Sequence, residues 1–161
     1  MIIVSNTTPL SELAKVGKLE LLRELFGTIF ISQEVYDEVI QGKHPATSSV
    51  PSAKWIEVVT LGSPIKALEL QTAFKLDLGE AATIVLAEEL KADRVLLDER
   101  LGRRVAQGRN LPVTGTIGLL LVAKNKGILV EIKPILEEFL IKGKRISPYL
   151  YQEVLEMAGE N

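Results

Sequence analysis

Apolar residues follow two rhythms along this chain. Short apolar runs occur at Ile2-Ile3-Val4, Ile29-Phe30-Ile31, Trp55 to Val59, Val95-Leu96-Leu97 and Pro112-Val113-Thr114. Runs of this length that do not alternate strictly read as strands of a parallel sheet, covered on both faces. Between them apolar residues recur at helical spacing: Leu10, Leu13 and Ala14; Leu21, Leu22 and Leu25; Val35, Val39 and Ile40; Leu68, Leu70 and Phe74. Thr8 before Pro9 and Ser32 before Val35 suit helix starts, while Gly17 and Gly27 suit helix ends. The stretch Gly42 to Ser52, rich in Gly, Pro, Ser and Thr, reads as a surface loop. Further helical patterns run from Pro64, from about Gly79, from Glu99 to Gln107, from Thr116 to Gly127, from Pro134 to Lys142 and from Pro148 to Met157. About five strands alternating with helices predict a three-layer α/β domain with a central parallel sheet.

The densest part of the pattern is Asp77 to Ala106. It predicts a helix, a turn at Lys91-Ala92-Asp93 and a buried strand that ends on Asp98-Glu99. Ligands of parallel sheets collect outside the carboxyl ends of the strands, which places Asp98 at the functional rim. Asn6 ends the first strand and has the same geometric claim. It can coordinate a cation through its carbonyl oxygen but carries no charge. Glu80 has a competing structural role, because Asp77-x-x-Glu80 before an apolar run matches a capping box. Glu38 lies on a helix among other acids, where a solvated face is the ordinary account. Arg100, Arg103, Arg104 and Arg109 form a cationic stretch beside Asp98, suited to phosphate if it is more than a solvated helix face.

Composition narrows the chemistry. The chain has no cysteine and a single histidine, His44, which removes thiolate chemistry and any multi-histidine metal site within one chain. A metal must then be held by oxygen, which favours Mg²⁺ or Mn²⁺. If strand ends and helix positions converge, their carboxylates repel one another unless a divalent cation neutralises them. Such a cation suits attack of water on a phosphodiester. The net charge of −2 gives no sign of a strongly basic surface. No Gly-rich phosphate loop is present. The opening Met1 to Val4 lacks a basic leader, and the apolar run 117–123 is far short of the roughly 20 residues of a membrane span. A cytoplasmic protein with no membrane association is expected.

Four stretches in order, IIVSNTTPLSELAKVG, FISQEVYDEVI, LDLGEAATIVLAEELKADRVLLDERLGRRVA and LPVTGTIGLLLVAKNKGIL, resemble the PIN domain. They are most similar to its small prokaryotic, toxin-like (VapC-like) subgroup. The resemblance implies one PIN-like domain over residues 1–161, with added C-terminal helices from about residue 134, and a five-stranded parallel sheet between helices. It implies a Mg²⁺- or Mn²⁺-dependent ribonuclease that cuts single-stranded RNA, often the toxin of a toxin–antitoxin pair, a homodimer inhibited by a small antitoxin protein. By motif, Glu38, Glu80, Asp98 and Asn6 fall on the catalytic and metal-holding positions. Thr8, Glu99 and Thr116 fall on supporting positions, and Arg100, Arg103 and Arg104 are candidates for the RNA backbone. Asn6 stands where the family usually has Asp, so one negative charge is missing. The alternative expectation is therefore a weak or inactive PIN-like module that binds RNA or protein.

Overall fold

Ile3 and Val4 are both completely buried, yet they belong to different apolar clusters on opposite sides of the sheet. The same division runs along the other strands, with Leu96 on one side and Val95 and Leu97 on the other. A strand that must fill two dry faces has no place for alternating polar residues, which explains the unbroken apolar runs. In the computed structural model, which describes residues 1–161, the strands are β1 (Ile3–Ser5), β2 (Ile29–Ser32), β3 (Ile56–Val59), β4 (Arg94–Leu96) and β5 (Val113–Thr114). They form one sheet in the order β3-β2-β1-β4-β5, and every pairing is parallel.

The helices are α1 (Thr7–Lys15), α2 (Glu20–Phe26), α3 (Gln33–Gln41), α4 (Ala46–Ser52), α5 (Pro64–Phe74), α6 (Leu78–Leu90), α7 (Arg100–Gly108), α8 (Thr116–Asn125), α9 (Lys133–Ile141) and α10 (Pro148–Ala158). A cluster of 25 buried residues joins one sheet face to α1 to α4 and α8 to α10; a cluster of 15 joins the other face to α5, α6 and α7. The architecture is thus a three-layer α/β/α sandwich. At roughly 1.5–3 kcal/mol per fully buried Leu or Ile, these two interfaces dominate its stability. α6 is apolar nearly all round, with Gly79 to Ala87 buried without a break, because it packs on the sheet and under α5.

The expected loop from Gly42 to Ser52 is in large part α4. Its turn-like composition hides an i, i+4 pair, Ala46 and Val50, that is buried where the helix packs on α1 and α3. Hydroxyls of Ser48 and Ser49 return to Pro45 O, and Thr47 Oγ1 donates to Val39 O and Gly42 O. Those polar side chains satisfy backbone carbonyls locally, so a short helix forms where residue types alone favour turns.

The C-terminal helices share the larger core, since Phe139 and Leu136 are fully buried with Leu119 and Leu120. Glu160 fastens the end of the chain. Its carboxylate accepts from Lys124 Nζ at 2.8 Å and from the N–H groups of Ile132 at 2.9 Å and Lys133 at 3.0 Å. No helix is long and apolar enough to cross a membrane.

The order of the strands locates the crevice. From β1 the chain builds outward through β2 to β3, then returns to place β4 on the other side of β1. The direction of winding therefore reverses between β1 and β4, and the loops leaving their carboxyl ends diverge. Asn6 leaves β1 at this point, and Asp98 and Glu99 follow β4.

Candidate active site

Asn6 occupies the N-cap of α1, where an Asn side chain ordinarily accepts a backbone N–H of the first turn. Here it makes no such bond. Its Nδ2 donates instead to Glu99 Oε2 at 3.3 Å, across the β1–β4 crevice, while Asn6 N donates to Leu96 O at 3.0 Å. Thr8 Oγ1 donates to the other oxygen, Glu99 Oε1, at 2.5 Å. Glu99 is thus the strand-end acid that the first helix holds in place.

Two more acids come from helices. α3 packs against α6, and Glu38 near the end of α3 extends over Gly79 at the start of α6. A Cβ at residue 79 would overlap Glu38 Oε2 and would lie 3.4 Å from Asn6 Oδ1 and 3.5 Å from Asp77 Oδ1. Gly79 is the floor on which these three oxygen-bearing side chains meet. Glu80 completes the capping box: Asp77 Oδ1 accepts Glu80 N–H at 2.7 Å, and Glu80 Oε1 accepts Asp77 N–H at 3.1 Å. The structural and functional readings of Glu80 are compatible, because the box uses only one oxygen. Glu80 Oε2 is buried without a partner and faces Gly102 of α7, where an added Cβ would stand 2.7 Å away.

The electrostatics of this hollow are unbalanced. Glu80 is only 6% exposed, and burial pushes its carboxyl from 4.5 up to about 7; the Asp77 N–H opposes this, while the charges of Asp77 and Glu99 add to it. Glu38 is also raised, first by desolvation and then by Asp77 and Glu99, with Thr7 working in the opposite direction. No lysine or arginine forms an ion pair with any of these acids. Asn6 Oδ1 and Glu80 Oε2 are buried with no hydrogen-bond partner, and Thr7 Oγ1 stands near enough to Glu38 to favour its ionised form without completing a regular hydrogen bond. Buried oxygens left unpaired are costly. Oxygen donors beside under-neutralised carboxylates suit a hard divalent cation. No group of three or more His, Cys, Asp or Glu side chains stands in metal-holding geometry.

Asp98 occupies a neighbouring station. Its Oδ1 accepts Thr116 N–H at 2.6 Å and its Oδ2 accepts the Thr116 hydroxyl at 2.5 Å. Because Thr116 is the first residue of α8, Asp98 also meets the positive end of that helix. Arg103 lies beside it. A Cβ at residue 115 would fall 2.5 Å from Arg103 Nη1 and 2.9 Å from Asp98 Oδ1, so glycine there leaves both groups their place. Arg100, Arg103 and Arg104 line a hollow with Asp98 at the start of α7.

The structure therefore brings Asn6, Thr8, Glu38, Glu80 and Glu99 into one crevice, and pairs Asp98 with Thr116 next to it, with Arg103 close by. Two participants escaped the sequence reading. Asp77 looked like a cap and nothing more, although its charge acts on both Glu38 and Glu80. Thr7 gave no pattern at all; its buried hydroxyl beside Glu38 marks it. The short spacing Asp77-x-x-Glu80 could have indicated the first, because two carboxylates one helical turn apart must feel each other.

No curated protein matches the chain in sequence. A family model described as a PIN domain does match, over residues 2–160. That span includes every strand of the sheet and every acid of the crevice. With the parallel five-stranded sandwich and the acids gathered at its switch point, this makes the chain a member of the PIN domain family, whose function is of nuclease type.

Proposed function

We propose that this protein is a metal-dependent ribonuclease that cuts single-stranded RNA. The observation that carries the reading is the under-neutralised carboxylate hollow at the β1–β4 switch point, with Glu80 raised to about 7 and unpaired oxygens of Asn6 and Glu80 buried in it. Glu38, Glu80, Asp98 and Asn6 would hold Mg²⁺ or Mn²⁺, with Asp77 and Glu99 adding charge from the same crevice. When bound, the cation supplies a more acidic water and charge stabilisation at a phosphoryl oxygen. The chain's own residues do the rest. Thr8 orients Glu99, and Thr116 holds Asp98. Arg100, Arg103 and Arg104 present guanidinium groups to the RNA backbone at the neighbouring hollow. The likeness to the toxin-like PIN subgroup adds to the proposal a cytoplasmic toxin, acting as a homodimer and restrained by a small antitoxin protein.

A labelled single-stranded RNA tests the activity. Cleavage is expected with Mn²⁺ or Mg²⁺ and none with a chelator; Asp98→Asn and Glu80→Gln should each lower the rate by roughly a hundredfold or more. Equal RNA survival with metal-loaded wild type and both variants would overturn the assignment.

A second reading has its own support. Asn6 removes a charge where the family usually has Asp, and no three acids stand in metal-holding geometry. On that reading the domain binds RNA or protein without cutting. Calorimetric titration with Mn²⁺ separates the two, since undetectable binding at millimolar metal favours the module. Appearance of cleavage only in Asn6→Asp favours it as well.

A further inference from the structure

The last helix closes one side of a cleft that runs away from the acidic crevice beyond Asp98. A cavity of about 600 Å³ lies between α7, α8 and α10, with Asp98 and Arg103 at one end and Lys144 and Arg145 along its edge. It adjoins the hollow of Arg100 and Arg104 through the residues common to both, Asp98, Arg103 and Leu150. Across the two, five cationic side chains face two acids, Asp98 and Glu153. This excess stands out in a chain whose net charge is −2. None of the five cations takes part in any of the four ion pairs of the molecule. Lys144 has its ammonium 5.9 Å from the Phe139 ring centroid, which stations it over the buried end of α9. Apolar side chains of α8 and α10, Ile117, Leu121 and Met157 among them, complete the lining.

An open groove lined by both unpaired cations and apolar side chains suits a single strand, whose phosphates and exposed bases are available together. The geometry points to this cleft as the channel for single-stranded RNA leaving the acidic crevice, with Lys144 and Arg145 binding its phosphates in line with Arg103. This assignment rests on the ribonuclease reading for its substrate but not for its chemistry, since binding requires no cleavage. It also gives the segment between α9 and α10 a role that packing alone does not provide. The two residues are free to serve because neither anchors the fold by an ion pair, and Arg145 is exposed.

The test measures fluorescence anisotropy of a labelled 12-nucleotide single-stranded RNA in chelator, at about 50 mM and about 200 mM salt. Wild type is compared with Lys144→Gln/Arg145→Gln, and with Lys66→Gln/Lys75→Gln on the α5 side as a charge control; circular dichroism melting confirms folding of each. Two lost phosphate contacts should flatten the slope of log affinity against log salt by about 1.4, roughly a sevenfold difference over that salt range. The control double variant should keep the wild-type slope. RNA binding by wild type with the expected loss, but no cleavage with Mn²⁺, would sink the nuclease reading and leave the channel standing. Unchanged affinity and slope in Lys144→Gln/Arg145→Gln, or equal loss in the control, overturns the channel; so does absence of RNA binding by wild type, which leaves the cleft to a protein partner.

Discussion

At the scale of single residues, Glu80 is the group whose titration should be visible in the whole protein. Its folded pKa lies above its unfolded value, so the native state holds the proton more tightly than the unfolded chain. The sign follows directly: the associated stability is fully present below about pH 4.5 and is lost as pH rises through about 7. The loss is on the order of 3 kcal/mol for a shift of this size in a buried group. Melting temperature in chelator should fall between about pH 5 and about pH 8, and Glu80→Gln should flatten that fall. Parallel curves for wild type and variant would remove the unbalanced charge from the account. Millimolar Mn²⁺ should raise the melting temperature most at the alkaline end, because the cation competes with the proton for the same carboxylate. Asp77→Asn separates charge from capping. Asn still offers an acceptor at the N-cap, so α6 should keep its stability, while Glu80 should titrate closer to 4.5, as read by carboxyl chemical shifts in NMR. Gly79→Ala probes the floor of the crevice: its Cβ must displace Glu38, so metal-dependent stabilisation should weaken although the helix gains intrinsic propensity.

Among the elements, helix ends explain more than helix middles. α1 and α6 both begin beside the crevice, but only α6 is capped by its own side chain. The uncapped start of α1 is a small structural cost that leaves Asn6 facing Glu99. Away from the site, ordinary capping rules apply. Ser32 Oγ accepts Val35 N–H at 3.0 Å, and Ser32→Ala should cost about 1 kcal/mol in chemical denaturation. Lys91 ends α6 in the left-handed region with φ 53°. Lys91→Gly should therefore be neutral or stabilise by up to about 1 kcal/mol, in contrast to glycine within the helix. Most elements were legible from residue types. The apolar runs, Pro64, Gly17 and Gly27 mark ends that physical rules recognise locally. α4 was not legible, because its helix depends on Ala46 and Val50 finding apolar neighbours and on hydroxyls bonding to nearby carbonyls.

For the molecule as a whole, the three layers and the C-terminal extension form one continuous apolar interior on the larger side of the sheet. Phe139 is fully buried there, so Phe139→Ala should cost roughly 3–5 kcal/mol in the same denaturation experiment. Glu160 holds α8 and α9 together from the end of the chain. Burial works against its ionised form, but Lys124 and the N–H groups of Ile132 and Lys133 outweigh that and keep its pKa below the usual carboxylate range. Its contribution is present above the unfolded pKa and fades as pH falls through the folded one. Glu160→Ala should accordingly lower the melting temperature at neutral pH and converge on wild type in acid.

The fold class of this protein was contained in its hydrophobic pattern. Five apolar runs between amphipathic segments can bury both faces only as a parallel sheet with helices on each side, so local periodicity determined the sandwich. The acids at strand ends and helix starts could also be picked out by type and position. Only the tertiary structure decided how they divide. It gave Glu99 to Asn6 and Thr8, gave Asp98 to Thr116 with Arg103 alongside, and made Asp77 a source of repulsion as well as a cap. These assignments depend on side-chain directions across contacts between separate elements, 91 residues apart for Thr8 with Glu99 and 18 for Asp98 with Thr116. No periodicity within a segment carries that information, because it arises when separate elements pack and water is removed from between their charges.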